Sequence, residues 1–209
     1  MPPLISLIRM KPLFLLASLL AFFSAHAQVA EPVYTLHVDG KPYALKAGEE
    51  LKLKGHWSDP VLKLEEQGYQ VFDNGSISFR YPNYMARQED GGIGYKTWTL
   101  DGKDFIIMLF QFEGKVAAEN VTEQIKKKFG KKNCTETPIQ RTIGNKLLDG
   151  TRLNIQIADV RLHQDFYTLP GSGEKMTSFL VFQSTDLAGG GLSEEEIETM
   201  KLFNASVRY

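Results

Sequence analysis

Residues 104–112 (DFIIMLFQF) constrain this chain more than any other stretch. Almost every position is large and apolar, so neither face of an extended segment is left for water. The run is entered from Asp101-Gly102 and left through Glu113-Gly114. A short apolar run bounded by turn residues predicts an interior strand covered on both sides. A sheet with two covered faces needs a second layer on each, and amphipathic helices later in the chain are candidates for it.

The first 27 residues read as a targeting segment rather than as part of the fold. Arg9 and Lys11 form a basic start, residues 12–23 are apolar, and Ala25-His26-Ala27 has the small-x-small pattern of a cleavage site. The apolar run is short for a membrane span. No cysteine follows it to accept a lipid. Cleavage before Gln28 and a periplasmic or secreted protein that does not span the membrane are expected.

Removing Arg9 and Lys11 from the 24 basic residues, against 25 acidic ones, leaves a net charge of about −3. That field does not suit general binding to nucleic acid. Cys134 is the single cysteine, so no intrachain disulfide can form and stability must come from the core. Lysines precede Cys134, but no histidine lies near it in sequence to act as a base. An incidental thiol is the reading.

From residue 33 the chain reads as strands. Residues 33–38 and 41–45 flank Asp39-Gly40, a two-residue hairpin signal, and Leu51 and Leu53 alternate with lysines as a further half-exposed strand. Residues 28–57 are taken as an N-terminal β-hairpin appendage, and residues 58–209 as the main domain. Residues 61–72 read as one extended stretch. Ile77, Phe79 and Tyr81 then share a face up to Pro82. Residues 83–94 read as a loop rich in glycine and charge, followed by a strand over 95–100.

Ala118, Val121, Ile125 and Phe129 recur at helical spacing and predict a helix over 116–129, closed by Gly130. Residues 135–184 form a second strand-rich block, with turns assigned to Asp149-Gly150 and to residues 169–173 and a buried strand over 176–182. Ser193 and Glu196 make a capping box, with Leu192 placed to staple against Ile197. This last helix runs to about Asn204, and residues 206–209 are read as a short final strand.

The order of these elements resembles the PsbP-like superfamily, which also holds the Ran-binding Mog protein and periplasmic DcrB-like proteins. The residues carrying the likeness are Ile77-Ser78-Phe79-Arg80-Tyr81-Pro82, residues 162–167, and the ending Phe203-Asn204-Ala205-Ser206-Val207-Arg208-Tyr209. It covers roughly residues 71–209. The resemblance implies an α+β fold, with a central, mainly antiparallel sheet flanked by helices as an α/β/α sandwich. It also implies an accessory or binding role without a shared catalytic centre. The residue pattern alone supports the same sandwich.

No catalytic constellation emerges from the residues. His37, His56 and His163 lie far apart without metal-ligand spacing, so no metal and no cofactor is expected. Gly91-Gly92-Ile93-Gly94 is followed by a strand, so no helix N-terminus stands ready for a phosphate. Lysines 126, 127, 128, 131 and 132 form a basic cluster at a helix end. Tyr84, Arg87, Tyr95 and Trp98 gather around the glycine-rich loop as candidates for contact with a small ligand or an envelope protein. His163 and Asp165 would share one face of a strand and complete the candidate binding residues. A non-catalytic binding protein is therefore expected. The alternative is a metal-dependent or hydrolytic enzyme using His163, Asp165 and an acid from residues 83–94, which requires those groups to converge.

Overall fold

The computed structural model describes residues 33–46, 48–186 and 191–209, and the targeting segment expected over residues 1–27 lies outside them. The apolar run forms strand β8 (Phe105–Glu113). Because side chains alternate along a strand, Phe105, Ile107 and Leu109 enter one apolar cluster and Met108, Phe110 and Phe112 enter another. Both faces are covered, as the sequence requires.

Around β8 stands a seven-stranded sheet in which every neighbouring pair is antiparallel. One edge is β6 (Ala86–Gly92), followed inward by β7 (Tyr95–Asp101) and β8. Then come β12 (Met176–Thr185), β11 (Val160–Thr168), β10 (Lys146–Ile157) and β9 (Cys134–Ile143) at the other edge. The middle strand is thus β12, with β8 beside it. After β8 the chain crosses one face through helix α1 (Ala118–Phe129) to the far edge, and β9 to β12 meander back until β12 pairs with β8.

Helix α1 buries Val121 and Ile125 among Met108, Phe110, Leu153, Ile155 and Phe166. On the opposite face, helix α2 (Glu194–Asn204) inserts Met200 and Phe203. It shares that face with the hairpin of β4 (Tyr69–Asp73) and β5 (Ser78–Pro82), and the Phe203 ring lies 4.6 Å from Phe79 and 5.3 Å from Phe182. Ser193 caps α2, accepting from the Glu196 N–H at 3.0 Å. The Glu196 carboxylate does not turn back to complete the capping box. It accepts from the buried Ser184 hydroxyl at 2.7 Å. Leu192 and Ile197 are both about half exposed, so the expected staple covers little apolar surface. The protein is mainly antiparallel β-structure with two α-helices among the described residues, the two that the sequence predicts, and more strand than it suggests.

Five element assignments change. Residues 83–94 are not a loop: residues 86–92 form the edge strand β6, paired with β7 around a turn at Ile93-Gly94. An edge strand has one neighbour and wet faces, so it carries no apolar alternation to read. Asp149-Gly150 lies inside β10 rather than in a turn, and the turn falls at Gly144-Asn145. Residues 61–72 split between β3 (Leu62–Glu66) and β4, which belong to different sheets. Strand β3 joins β1 (Val33–Val38) and β2 (Lys41–Lys46) in a three-stranded sheet ordered β2-β1-β3. The small sheet therefore extends past residue 57, while Leu51 and Leu53 lie in no strand. The Asp39-Gly40 hairpin stands as expected, with positive φ at both residues. At the other end, the final segment contributes a single bridge, Arg208 to Ser78, rather than a full strand.

Candidate ligand groove

A helix of 12 residues is about 18 Å long, whereas seven strands span roughly 29 Å, so α1 leaves part of its sheet face open. Between α1 and the sheet, over strands β7, β8, β12, β11 and β10, lies a groove of about 140 Å³. Ile125, Lys128 and Phe129 form its helix side, and Ile106, Met108 and Phe110 lie on its floor.

Strand register places a polar row across that floor. Asp101 pairs with Ile106, Ile106 with Gln183, and Gln183 with Gln164. Residues paired across neighbouring strands share a face, so these four side chains lie in line on the α1 side. Gln164 is only 8% exposed. Its Nε2 donates to Gln183 Oε1 at 2.6 Å, while its own Oε1 has no hydrogen-bond partner. An unpaired buried acceptor is rare in folded proteins.

The groove is a low-dielectric place. Burial, and then the nearby Glu195 carboxylate, hold the Asp101 carboxyl above its usual range. Burial holds the Lys128 amine below its usual range, 5.3 Å from the Phe129 ring centre. The Asp101 end is fixed from the opposite side of the sheet. Glu195 of α2 reaches the β7–β8 turn and accepts from the backbone N–H groups of Lys103, Asp104 and Phe105 at 3.0, 2.5 and 2.9 Å. Gly102 leaves the space for it: a Cβ there would stand 2.5 Å from Glu195 Oε1.

None of the six residues singled out from sequence lines this groove. Tyr84 sits exposed between β5 and β6, its hydroxyl facing Thr199 and Glu195 of α2. Arg87 lies over the Phe72 ring at 5.2 Å and 3.8 Å from Glu89. Trp98 is buried in the α2-side core, edge-on to Phe72 at 6.0 Å. Arg87 and Trp98 thus meet on Phe72, whereas Tyr95 packs on the other face with the α1-side cluster.

His163 and Asp165 do share a face, that of α2, but each is already paired. His163 Nδ1 is 2.8 Å from Asp186 Oδ1. Asp165 receives both Nε and Nη2 of Arg152, at 2.6 and 2.8 Å. Strands β7, β8 and β12 separate them from the acids Glu89 and Asp90 on β6, a span of about 19 Å. The groups required for the hydrolytic alternative do not converge.

Several other titratable candidates have partners or shifts of their own. His37 Nε2 lies 3.1 Å from Glu65 Oε2. Burial pushes the Cys134 thiol upward despite the neighbouring Lys126. Of the lysine cluster, Lys126 and Lys131 pair with Glu123, and Lys126 also with Glu136. Among the described residues no group of three or more His, Cys, Asp or Glu side chains is placed to hold a metal ion, and no helix is long and apolar enough to cross a membrane.

Sequence reasoning passes over Gln164 because a glutamine inside an apolar strand carries no catalytic signal. Its one legible cue is the alternation of Leu162, Gln164 and Phe166 against His163, Asp165 and Tyr167.

Neither a protein-family model nor a curated protein matches the chain. A solved structure from Bacteroides thetaiotaomicron VPI-5482, at 1.50 Å resolution, is similar with a TM-score of 0.40 and 13% sequence identity, over 68% of this chain. The match spans about half (48%) of the length of that solved chain.

Proposed function

We propose that this is an exported, non-catalytic binding protein that takes a small molecule into the groove between α1 and the sheet. The observation that carries the reading is the groove itself: an apolar recess of about 140 Å³ on a sheet face that α1 only partly covers. Recesses lined by apolar side chains with a few placed polar groups are the usual form of small-molecule sites. Export is supported by the basic start, the apolar stretch and the Ala25-His26-Ala27 pattern. The helix–sheet–helix architecture of PsbP-like proteins is supported by the element order and by one helix on each sheet face.

A thermal-shift screen of the purified protein against small aromatic and aliphatic compounds tests the site. Ligand at 100 times its Kd stabilises the native state by about 2.7 kcal/mol, a readily measured shift. The shift should vanish in Ile106→Trp, which fills the groove floor. If no compound raises the midpoint of the wild-type protein, the groove is not a binding site. Export is checked separately by the N-terminus of the protein recovered from the envelope fraction, expected at Gln28.

A further inference from the structure

Resting on the groove as the binding site, we infer that its ligand is a neutral molecule with a compact apolar body and a hydroxyl or amide N–H, which donates to Oε1 of Gln164. The argument starts from what Gln164 lacks. Its carboxamide is buried, and its Nε2 is held by Gln183, so the side chain cannot turn its oxygen to water without giving up that bond. The oxygen is left without a donor in a residue that lines the groove. A buried acceptor of this kind is costly unless something donates to it.

Most of the rest of the lining supplies apolar contact, chiefly from Ile106, Met108, Phe110, Ile125, Leu162 and Phe166. An engineered apolar cavity of about 150 Å³ in another protein holds benzene, which sets the scale of the body that fits here. A formal charge on the ligand is disfavoured, because an ion loses far more than a neutral donor on leaving water for a recess lined mostly by apolar side chains. The two charged side chains of the groove are themselves pushed toward their neutral forms by burial, Asp101 upward and Lys128 downward.

Four probes of nearly one size separate the possibilities by titration, followed in the amide and methyl NMR signals of the intact protein. These are toluene, benzyl alcohol, acetophenone and benzylammonium. Without a waiting acceptor, toluene binds better than benzyl alcohol, because the hydroxyl must leave water for nothing. With it, benzyl alcohol binds tighter than toluene and than acetophenone, which has an acceptor only, by about fivefold. In Gln164→Leu the order reverts to toluene first, and Gln164→Met provides the same comparison should the leucine variant fail to fold.

If toluene matches or exceeds benzyl alcohol in the wild type, the groove stands as a site and the donor inference falls. Acetophenone or benzylammonium as the tightest probe overturns it as well, the first by demanding a donor from the protein and the second by demanding a charge. If none of the four binds, the reading of the groove as a site for small apolar-bodied molecules falls with it.

Discussion

Gln164 and Gln183 stand opposite each other on β11 and β12, and the 2.6 Å bond from Nε2 of the first to Oε1 of the second uses half of the Gln164 carboxamide and leaves the other half unpaired. The pair is therefore poorly arranged for stability. Removing the partner alone makes matters worse. Gln183→Leu leaves both polar atoms of Gln164 buried and unbonded and should cost about 1–3 kcal/mol in urea unfolding. Replacing both glutamines by leucine should be neutral or stabilising, because no polar group then remains to be desolvated. A double-mutant cycle measures the difference.

Arg152 and Asp165 form the opposite case, a two-point pair in which each carboxylate oxygen of Asp165 has a guanidinium donor. Asp165 is 2% exposed and takes two hydrogen bonds from the guanidinium, which remains about a third exposed. Arg152→Met strands the carboxylate and should cost about 3 kcal/mol, at the lower end for breaking a buried pair because water reaches the guanidinium. Arg152→Met with Asp165→Leu should recover most of that loss in the same unfolding assay.

Gly150 permits the Tyr167 ring to lie flat against β10. A Cβ at residue 150 would stand 2.5 Å from the Phe166 carbonyl oxygen and 2.7 Å from the ring, and neither the strand backbone nor the packed ring can withdraw freely. Gly150→Ala should destabilise by about 1–3 kcal/mol, the usual cost of overpacking, even though alanine normally suits a strand better than glycine. Tyr167→Leu in the same background should return part of the loss.

Tyr167 also sets an alkaline limit. Burial, with the Asp165 carboxylate beside it, pushes its phenol from 10 up to about 12. Below pH 10 the proton is held in both folded and unfolded chains, and the contribution is fully present. Between pH 10 and about 12 the unfolded chain releases a proton that the native state keeps, so stability falls with rising pH and levels off above 12. The loss is about 2–3 kcal/mol at 1.36 kcal/mol per pH unit. Tyr81, Tyr84 and Tyr209 shift in the same direction, so the measurement is the difference between wild type and Tyr167→Phe in urea midpoints from pH 9 to 12. The variant should lose less.

Much of the fold is legible residue by residue. The run through Phe105 and Phe112 demands two covered faces, the spacing of Val121 and Ile125 gives α1, and Ser193 marks the start of α2. These are local signals, written by one segment and read within it. Where the signal depends on a neighbour, the reading slips. Glu89 and Asp90 look like loop residues until β7 pairs with them, and Asp149-Gly150 looks like a turn until Tyr167 is seen to lie on the glycine.

The candidate site divides along the same line. Sequence alone determined that the described chain builds a two-faced sheet with amphipathic helices to lay on it, because alternation and helical period are properties of single segments. Only the tertiary structure decided that a 12-residue helix would fall short of a seven-stranded sheet and leave a groove, and that strand register would align Asp101, Gln183 and Gln164 across its floor. The physical reason is that pairing across strands joins residues far apart in the chain, and no local pattern specifies which of them will share a face at the same height.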